Sequence, residues 1–255
     1  MISDHNGFSF DPNNVREILG PGKIGTYNDF GVMPSFVSPY TWQGTNANRR
    51  SSQINLYTCG WTSSETLPFH QEIGVHTFDP DSLEVGSLNK ILGRNARNPL
   101  YVTNPAHVSL ANGYDLIFFV SCCSWRSEDS GKLESEYHIK YEVYHQDEFV
   151  KEGELPRISG QIASCRPWPI QVENRLFIFF SARTTKADYN IYCCEFVDLN
   201  YFSWTGLPLI TLGEGSWYSK MACYPSAVVF ESRIYLIFCG DGYGSTGFGI
   251  ASCDL

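Results

Sequence analysis

The chain has 255 residues and a formal net charge of −9, and aromatic residues make up 15% of it. This length can bury a large core, and the aromatic content favours strands over helices. The charge, with no run of Lys or Arg beyond Arg49-Arg50, argues against a nucleic-acid partner. No apolar run reaches about 18 residues, which argues against membrane insertion.

The cysteines and the N-terminus indicate a cellular compartment. Nine cysteines are present without a C-x-x-C pair, and several of them, such as Cys59 and Cys122, fall within apolar strand-like segments. Small buried thiols are the simplest explanation of this pattern. The first residues, "MISDHNGFSF", lack a basic and then apolar signal region. The sequence therefore predicts a cytoplasmic protein with reduced thiols.

A pattern of strands recurs along the chain. Each occurrence begins with a residue followed by proline, and continues with an apolar strand, a polar turn and a second apolar strand. The four prolines are Pro34, Pro105, Pro167 and Pro225, a period of about 60 residues. Third strands are predicted at 73–79, 139–145, 191–198 and 248–254. Weaker fourth strands are predicted near 87–92, 148–154 and 204–211, and the N-terminal segment "GFSFDPNNV" could supply the one that the last unit lacks.

This repeat predicts the fold. Antiparallel strands repeated every 40–60 residues are typical of a β-propeller. We expect an all-β chain that forms a single domain over residues 1–255, with four-stranded antiparallel blades and closure by the N-terminal strand. Four blades are countable, and five is the alternative. Proline suits the first residue of each innermost strand because no ladder hydrogen bond is required there.

Unusual residues collect at one end of the predicted blades. In an antiparallel blade the start of strand 1, the end of strand 2 and the start of strand 3 share one end. The residues before the prolines, Met33, Asn104, Arg166 and Tyr224, are expected around the axis there. Aromatic rings with a few arginines suit sugars, and Arg166 favours an anionic or phosphorylated one. The predicted substrate-binding residues are Trp61, His70, Asn104, Trp125, His138, Arg166, Arg183, Tyr189, Tyr224 and Tyr243.

The sequence predicts neither a metal site nor a cofactor. The histidines lack companion ligands at metal-binding spacing. The segment "GYGSTG" (242–247) matches a dinucleotide-binding fingerprint in letters, but a strand and the end of the chain follow it instead of a helix and a second strand. These glycines are expected to form a tight loop.

Several segments resemble a family of bacterial glycosidase-like proteins. They are "DFGVMPSFV", "LYTCGW", "PFHQEIGV", "YHIKYE", "RPWPIQVENRLFIFFSAR", "YNIYCCE", "MACYPSAVV" and "CGDGYGSTGFGIAS". The family is related to the arabinanase, levansucrase and invertase clan and is often associated with surface-polysaccharide gene clusters. The resemblance covers about residues 19 to 253 and implies a propeller, usually five-bladed, with acidic residues in an axial pocket.

The chain departs from that family in its acids. Glycoside cleavage normally uses two carboxylates, and none of the four residues before the prolines is acidic. Asp29 matches the family's acid shortly before "GVMPS". The candidate catalytic residues are Asp29 as base or nucleophile, with Asp241 or Glu214 as the acid. Asp29 could instead cap the turn before Gly31, and an aspartate before glycine, as Asp241 is, is more often a turn residue than a catalytic one.

Three functions follow from these observations. The first is a glycoside hydrolase-like or glycosyl-transferring enzyme that acts on a bacterial polysaccharide or its precursor in the axial pocket. The second is a catalytically inactive carbohydrate-binding propeller, which the missing axial acids favour. The third is a protein-interaction platform that uses the same aromatic and arginine residues as a hot spot. The sequence does not determine the oligomeric state.

Overall fold

A computed structural model of the chain describes residues 16–38, 54–65, 67–127, 131–184 and 188–255. Fifteen strands and one short helix lie within these residues. The predicted all-β class is confirmed. The segment expected to close the last unit, residues 7–15, lies outside the described residues.

The strands form four consecutive antiparallel units. The first unit consists of β1 (Gly31–Ser38), β2 (Ile54–Thr62), β3 (His70–Asp79) and β4 (Glu84–Leu92). The second consists of β5 (Val102–Ser109), β6 (Tyr114–Ser127), β7 (Leu133–His145) and β8 (Glu148–Glu154). The third consists of β9 (Gln161–Val172), β10 (Arg175–Thr184), β11 (Asn190–Asp198) and β12 (Tyr201–Trp204). The last consists of β13 (Cys223–Phe230), β14 (Arg233–Cys239) and β15 (Phe248–Asp254), with the helix α1 (Asp241–Gly244) between β14 and β15.

The units pack side by side through their first strands. Strand β1 contacts β5, β5 contacts β9, and β9 contacts β13. One parallel bridge, between Tyr137 and Ala163, joins the second and third units into an eight-stranded sheet, while the first and last units are separate sheets. The order of strands agrees with the repeat in the sequence. A closed ring with a defined number of blades stays a prediction.

The repeated prolines do not begin the strands, so that prediction was wrong. Pro105, Pro167 and Pro225 lie inside β5, β9 and β13, at points where the pairing register shifts. At each shift the proline and the residue before it together oppose one residue of the second strand, which is a β-bulge. Proline is tolerated there because the bulge leaves its position out of the hydrogen-bond ladder.

The first unit differs slightly from the other three. Its register shift falls between Pro34 and Phe36, one residue later, so Met33 remains paired with Cys59. The fourth strand predicted near 204–211 was also misplaced. It ends at Trp204, because Gly206 adopts a left-handed φ of 72° and Pro208 follows.

The core lies between the units. Central residues of β3, β6 and β10, such as Ile73, Phe118 and Phe180, are fully buried in a cluster that spans all four units. A second, smaller cluster packs the third unit against the last and includes Phe179 and Leu236. Burial is continuous along the middle of β6 and β10, which is expected of strands whose sheet is covered on both faces.

Two connecting segments share one packing arrangement. Tyr27, just before β1, lies against Gly60 and Gly74, and Trp217, before β13, lies against Gly240 and Gly249. A Cβ at any of these four glycines would clash with the facing residue. The repeat therefore extends beyond the strands, into the segments that lead to the first strands of the first and last units.

Burial sets the state of the thiols. All nine cysteines are free, and burial raises the pKa of Cys165 to about 12. Helix α1, the one helix among the described residues, is too short to cross a membrane.

Candidate functional site

A cavity of about 310 Å³ opens where the first strands of the four units meet. Its lining residues come from all four units. They are Met33, Trp61, Phe69, Gln71, Tyr101, Thr103, Asn104, Val120, Ser135, Tyr137, Cys165, Arg166 and Tyr224. We call it the axial cavity.

The four residues that precede the prolines all line the axial cavity. Asn104, Arg166 and Tyr224 have left-handed φ angles of 47°, 54° and 57°. These residues lie at the bulges, and side chains other than glycine adopt such angles infrequently. Met33, whose bulge lies one residue later, is not among the residues with positive φ.

Hydrogen bonds from neighbouring units hold this unusual backbone. The backbone N–H of Asn104 donates to Cys59 Sγ at 3.1 Å, and that of Tyr224 donates to Ser181 Oγ at 2.8 Å. In both cases the acceptor lies on the second strand of the preceding unit. The bulge therefore frees an N–H group that then joins one unit to the next.

Arg166 is the one charged residue that lines the cavity. Its Nη2 donates to Met33 Sδ at 3.0 Å, and its guanidinium carbon lies 5.3 Å from the centre of the Tyr224 ring. No carboxylate among the described residues forms an ion pair with it. The contacts described for its guanidinium are a thioether and the face of an aromatic ring, and both are weak partners for a cation.

One side of the cavity carries an aromatic cluster from the first two units. Phe69 is its centre, with ring-centre distances of 4.8 Å to Trp61, 5.6 Å to Tyr101 and 5.3 Å to Trp125. Trp125 Nε1 is buried and has no hydrogen-bond partner. Trp125 itself does not line the cavity but packs against Phe69, which does.

A tyrosine cluster forms the other side. Tyr243 stacks on Tyr224 with ring centres 5.9 Å apart and lies 6.2 Å from Tyr189. The hydroxyl of Tyr189 hydrogen-bonds with that of Tyr137. Burial raises the pKa of Tyr137, Tyr189 and Tyr224. These phenols are therefore neutral at physiological pH and can act as hydrogen-bond donors.

A long hairpin supports this side. Strands β6 and β7 extend past the other strands of their unit, and Glu134 on β7 accepts a hydrogen bond from Arg183 of the third unit. Burial opposes the charge of Arg183, but the hydrogen bonds to Glu134 and Tyr189 raise its pKa. Glu136 is paired with Arg126 at 2.8 Å. Glu134 and Glu136 are thus each paired with an arginine.

Neutral polar groups complete the lining. Tyr101 donates to Ser135 Oγ at 2.9 Å. Thr103 is 6% exposed, and its hydroxyl has no partner. Gln71 and Asn104 add two amides. These groups can donate to or accept from the hydroxyl groups of a ligand.

None of the three predicted catalytic carboxylates lines the axial cavity. Asp29 Oδ2 accepts from the backbone N–H of Gly25 at 2.9 Å, within its own turn. Glu214 is exposed in the connecting segment before β13.

Asp241 joins the segment just before β13 to the loop that carries Tyr243. It accepts hydrogen bonds from Ser219 Oγ at 2.9 Å and from the backbone N–H groups of Lys220 and Met221 at 2.8 Å each. Desolvation opposes its charge, but these hydrogen bonds lower the pKa of Asp241 below its ordinary value. Asp241 therefore holds in place the left-handed residues Gly242 and Tyr243.

The predicted binding residues fall into four groups. Trp61, Asn104, Arg166 and Tyr224 line the cavity, and Trp125, Tyr189 and Tyr243 contact its lining rings. Arg183 lies behind them over Tyr189. His70 and His138 do not line the cavity. Burial lowers the pKa of His138, which lies 3.1 Å from Gln161.

Sequence reasoning missed Phe69, Tyr101, Thr103, Ser135 and Tyr137. Thr103 directly precedes Asn104, so its position could have been inferred. Ser135 and Tyr137 alternate along β7, a period that places both on one face. Phe69 and Tyr101 lie in loops, and no periodic signal identifies them.

The histidines and cysteines do not form a metal site within the described ranges. No three His, Cys, Asp or Glu side chains lie close enough together there to hold an ion. The segment 242–247 forms a short helical turn and a loop that lead into β15.

No protein-family model matches the chain. The chain is 26% identical over 245 residues to the uncharacterized protein Rv1502 of Mycobacterium tuberculosis, a match that covers 93% of this chain and 76% of the relative. A thermostable family-43 glycoside hydrolase matches with a TM-score of 0.60 and 13% identity, over 80% of this chain and 68% of that one. A glycosyl hydrolase from Bacteroides ovatus also matches with a TM-score of 0.60, at 10% identity, over 96% of this chain and 75% of that one. These likenesses show that the chain has a glycosidase-like fold.

Proposed function

We propose that the protein binds a carbohydrate in the axial cavity through aromatic and neutral polar groups, and that it does not cleave this ligand. One observation carries the proposal. The cavity is lined by aromatic rings, amides, hydroxyls and one arginine, and no carboxylate is among its described lining residues. A glycosidase of the usual two-carboxylate type requires a pair of them beside the scissile bond.

The chemistry of the lining supports a sugar. The C–H faces of sugar rings pack on aromatic rings, and Trp61 and Tyr224 are placed for this on different sides of the cavity. Sugar hydroxyls need partners, and Thr103 and Trp125 each hold a buried polar atom without one. A ligand that satisfied these atoms would remove a cost of about 1–3 kcal/mol for each of them.

The ligand that we propose is anionic. The guanidinium of Arg166 lies in the cavity without a carboxylate partner. A sugar carboxylate or phosphate could accept two parallel hydrogen bonds from it. The overall charge of −9 means that this attraction would have to be local.

An enzyme is the second candidate, because the neighbours in fold are glycoside hydrolases. In that case the protein would cleave or transfer a glycosyl group of a bacterial polysaccharide or its precursor, with Asp29 as base or nucleophile and Asp241 or Glu214 as acid. The lowered pKa of Asp241 opposes the role of acid, which requires a proton near neutral pH.

The architecture that we propose is one domain over residues 1–255, built as a four-bladed propeller that the N-terminal segment closes. The packing shared by Tyr27 and Trp217 supports it. Trp217 belongs to a connection between two units, so the segment of Tyr27 has the form of a connection that arrives from a preceding unit.

A panel assay separates these functions. The protein is incubated with neutral sugars, uronic acids, sugar phosphates and bacterial oligosaccharides, and both turnover and melting temperature are measured. We expect acidic members to raise the melting temperature of the wild type and of Asp29→Asn equally, without turnover, and to have no effect on Arg166→Met. Turnover that collapses in Asp29→Asn would instead establish the enzyme. No response to any sugar would favour a protein-interaction platform.

A further inference from the structure

Met33 contacts Arg166, the charged residue that lines the axial cavity. Its Sδ accepts a hydrogen bond from Arg166 Nη2 at 3.0 Å. A thioether is a weak acceptor and carries no charge. The contact therefore orients the guanidinium without neutralising it.

The two residues occupy matching places in the fold. Both precede the proline of a first strand, Met33 on β1 and Arg166 on β9, so their side chains approach the axis from the first and third units. A glutamate at position 33 would carry its carboxyl carbon at the place along the side chain where methionine carries its sulfur. Such a carboxylate would lie within reach of Arg166 and would form an ion pair with it.

The other described groups near the cavity do not compensate for Arg166. Asn104 and Tyr224, the remaining residues before the prolines, are uncharged at neutral pH. Glu134 is paired with Arg183, and Asp241 accepts three hydrogen bonds from the segment just before β13. Position 33 is thus a place around the axis where a single substitution would bring a carboxylate directly to the guanidinium.

We propose that Met33 determines the selectivity of the axial cavity for an anionic ligand. The inference rests on the proposed sugar binding and deepens it. A carboxylate or phosphate group replaces the thioether as the acceptor of Arg166, and an acidic residue at position 33 would occupy the same donors and repel the ligand.

The test compares Met33→Glu with Met33→Gln, two variants of nearly equal shape that differ by one charge. Calorimetric titrations use glucose, galactose and mannose with their uronic acid and 6-phosphate counterparts. We expect the wild type and Met33→Gln to prefer the acidic members. Met33→Glu should bind them about 10- to 100-fold more weakly, which is the loss of a charge-assisted hydrogen bond, and its affinity for neutral sugars should fall by much less than that. Comparing the uronic acid and phosphate arms identifies which anion the cavity takes.

A second readout requires no ligand. If the introduced carboxylate pairs with Arg166, Met33→Glu should melt about 2 °C above Met33→Gln at pH 7 and low salt. The difference should shrink as the pH falls below about 4 and should disappear only below the pKa of the paired carboxylate, which the ion pair lowers. Equal melting at pH 7 would overturn the geometry on which the inference rests.

The possible failures are distinguishable. If the wild type binds neutral and acidic sugars equally, or if Met33→Glu keeps the preference for acids, the selectivity role is refuted and sugar binding stands. If no sugar binds while Met33→Glu still melts higher, the proposed function is refuted, and the selectivity with it, although the pairing geometry stands.

Discussion

The hydroxyl of Tyr27 provides a quantitative test of how the segment before β1 is anchored. It lies 2.8 Å from Thr58 Oγ1 and 2.8 Å from His76 Nε2, and all three side chains are buried. In Tyr27→Phe, Thr58 keeps its second partner, the carbonyl of Gly74 at 3.3 Å. His76 Nε2 loses the one partner described for it. We therefore expect the substitution to lower the free energy of unfolding by about 1–3 kcal/mol, the cost of one buried polar group left unpaired.

Urea denaturation followed by tryptophan fluorescence measures this loss. The midpoint should fall while the slope with denaturant stays constant, because the surface exposed on unfolding does not change. Tyr201→Phe is the matched control. Tyr201 is 57% exposed, so this substitution should change the free energy of unfolding by no more than about 0.5 kcal/mol. If Tyr27→Phe proves as mild as the control, the segment is not held through this hydrogen-bond pair, and the reasoning is refuted.

Three further predictions concern acid stability, packing and thiol reactivity. Hydrogen bonding lowers the pKa of Asp241 below 3.8. The ionised carboxylate therefore stabilises the folded protein above that pH, and this stabilisation is lost as the pH falls through the pKa of Asp241 in the folded state. Asp241→Asn should therefore lose less stability between pH 5 and pH 3 than the wild type in acid titrations, and an equal loss would refute this. Gly74→Ala should lower the free energy of unfolding by about 1–3 kcal/mol, because the added methyl group overpacks against Tyr27. In a Tyr27→Ala background the same substitution should cost much less. If urea denaturation shows that the two losses add, the contact is contradicted. Iodoacetamide should label the exposed Cys123 in the folded protein, but buried Cys165 only after unfolding, as mass spectrometry of the peptides would show.

The sequence predicted the order of the strands, because four prolines at similar spacing marked equivalent first strands. It misjudged what proline does there. The prediction of a strand start followed from the missing N–H, but a bulge satisfies the same constraint, and the local sequence does not distinguish the two. The left-handed angles of Asn104 and Arg166 were therefore not foreseen, although those residues were expected near the axis.

The candidate site was harder to predict. Residues placed by strand period and by the repeat, such as Tyr224, could be assigned to one end of the blades. Phe69 depends on how a loop of the first unit packs against the second, which is tertiary information. The partners of carboxylates are also invisible in a sequence: Asp241 follows a strand as a catalytic acid could, and only the structure provides its three donors.

The left-handed backbone before the prolines restricts how this cavity could diversify. At positions 104, 166 and 224 a β-branched side chain would add strain to an angle that is already costly, about 1–2 kcal/mol per residue for L-amino acids. Position 33 carries no such restriction, since its bulge is displaced by one residue. A lineage that retains these four units could therefore exchange the residue of the first unit without this backbone strain, while the other three positions accept a narrower set. New ligand preferences should arise first on β1.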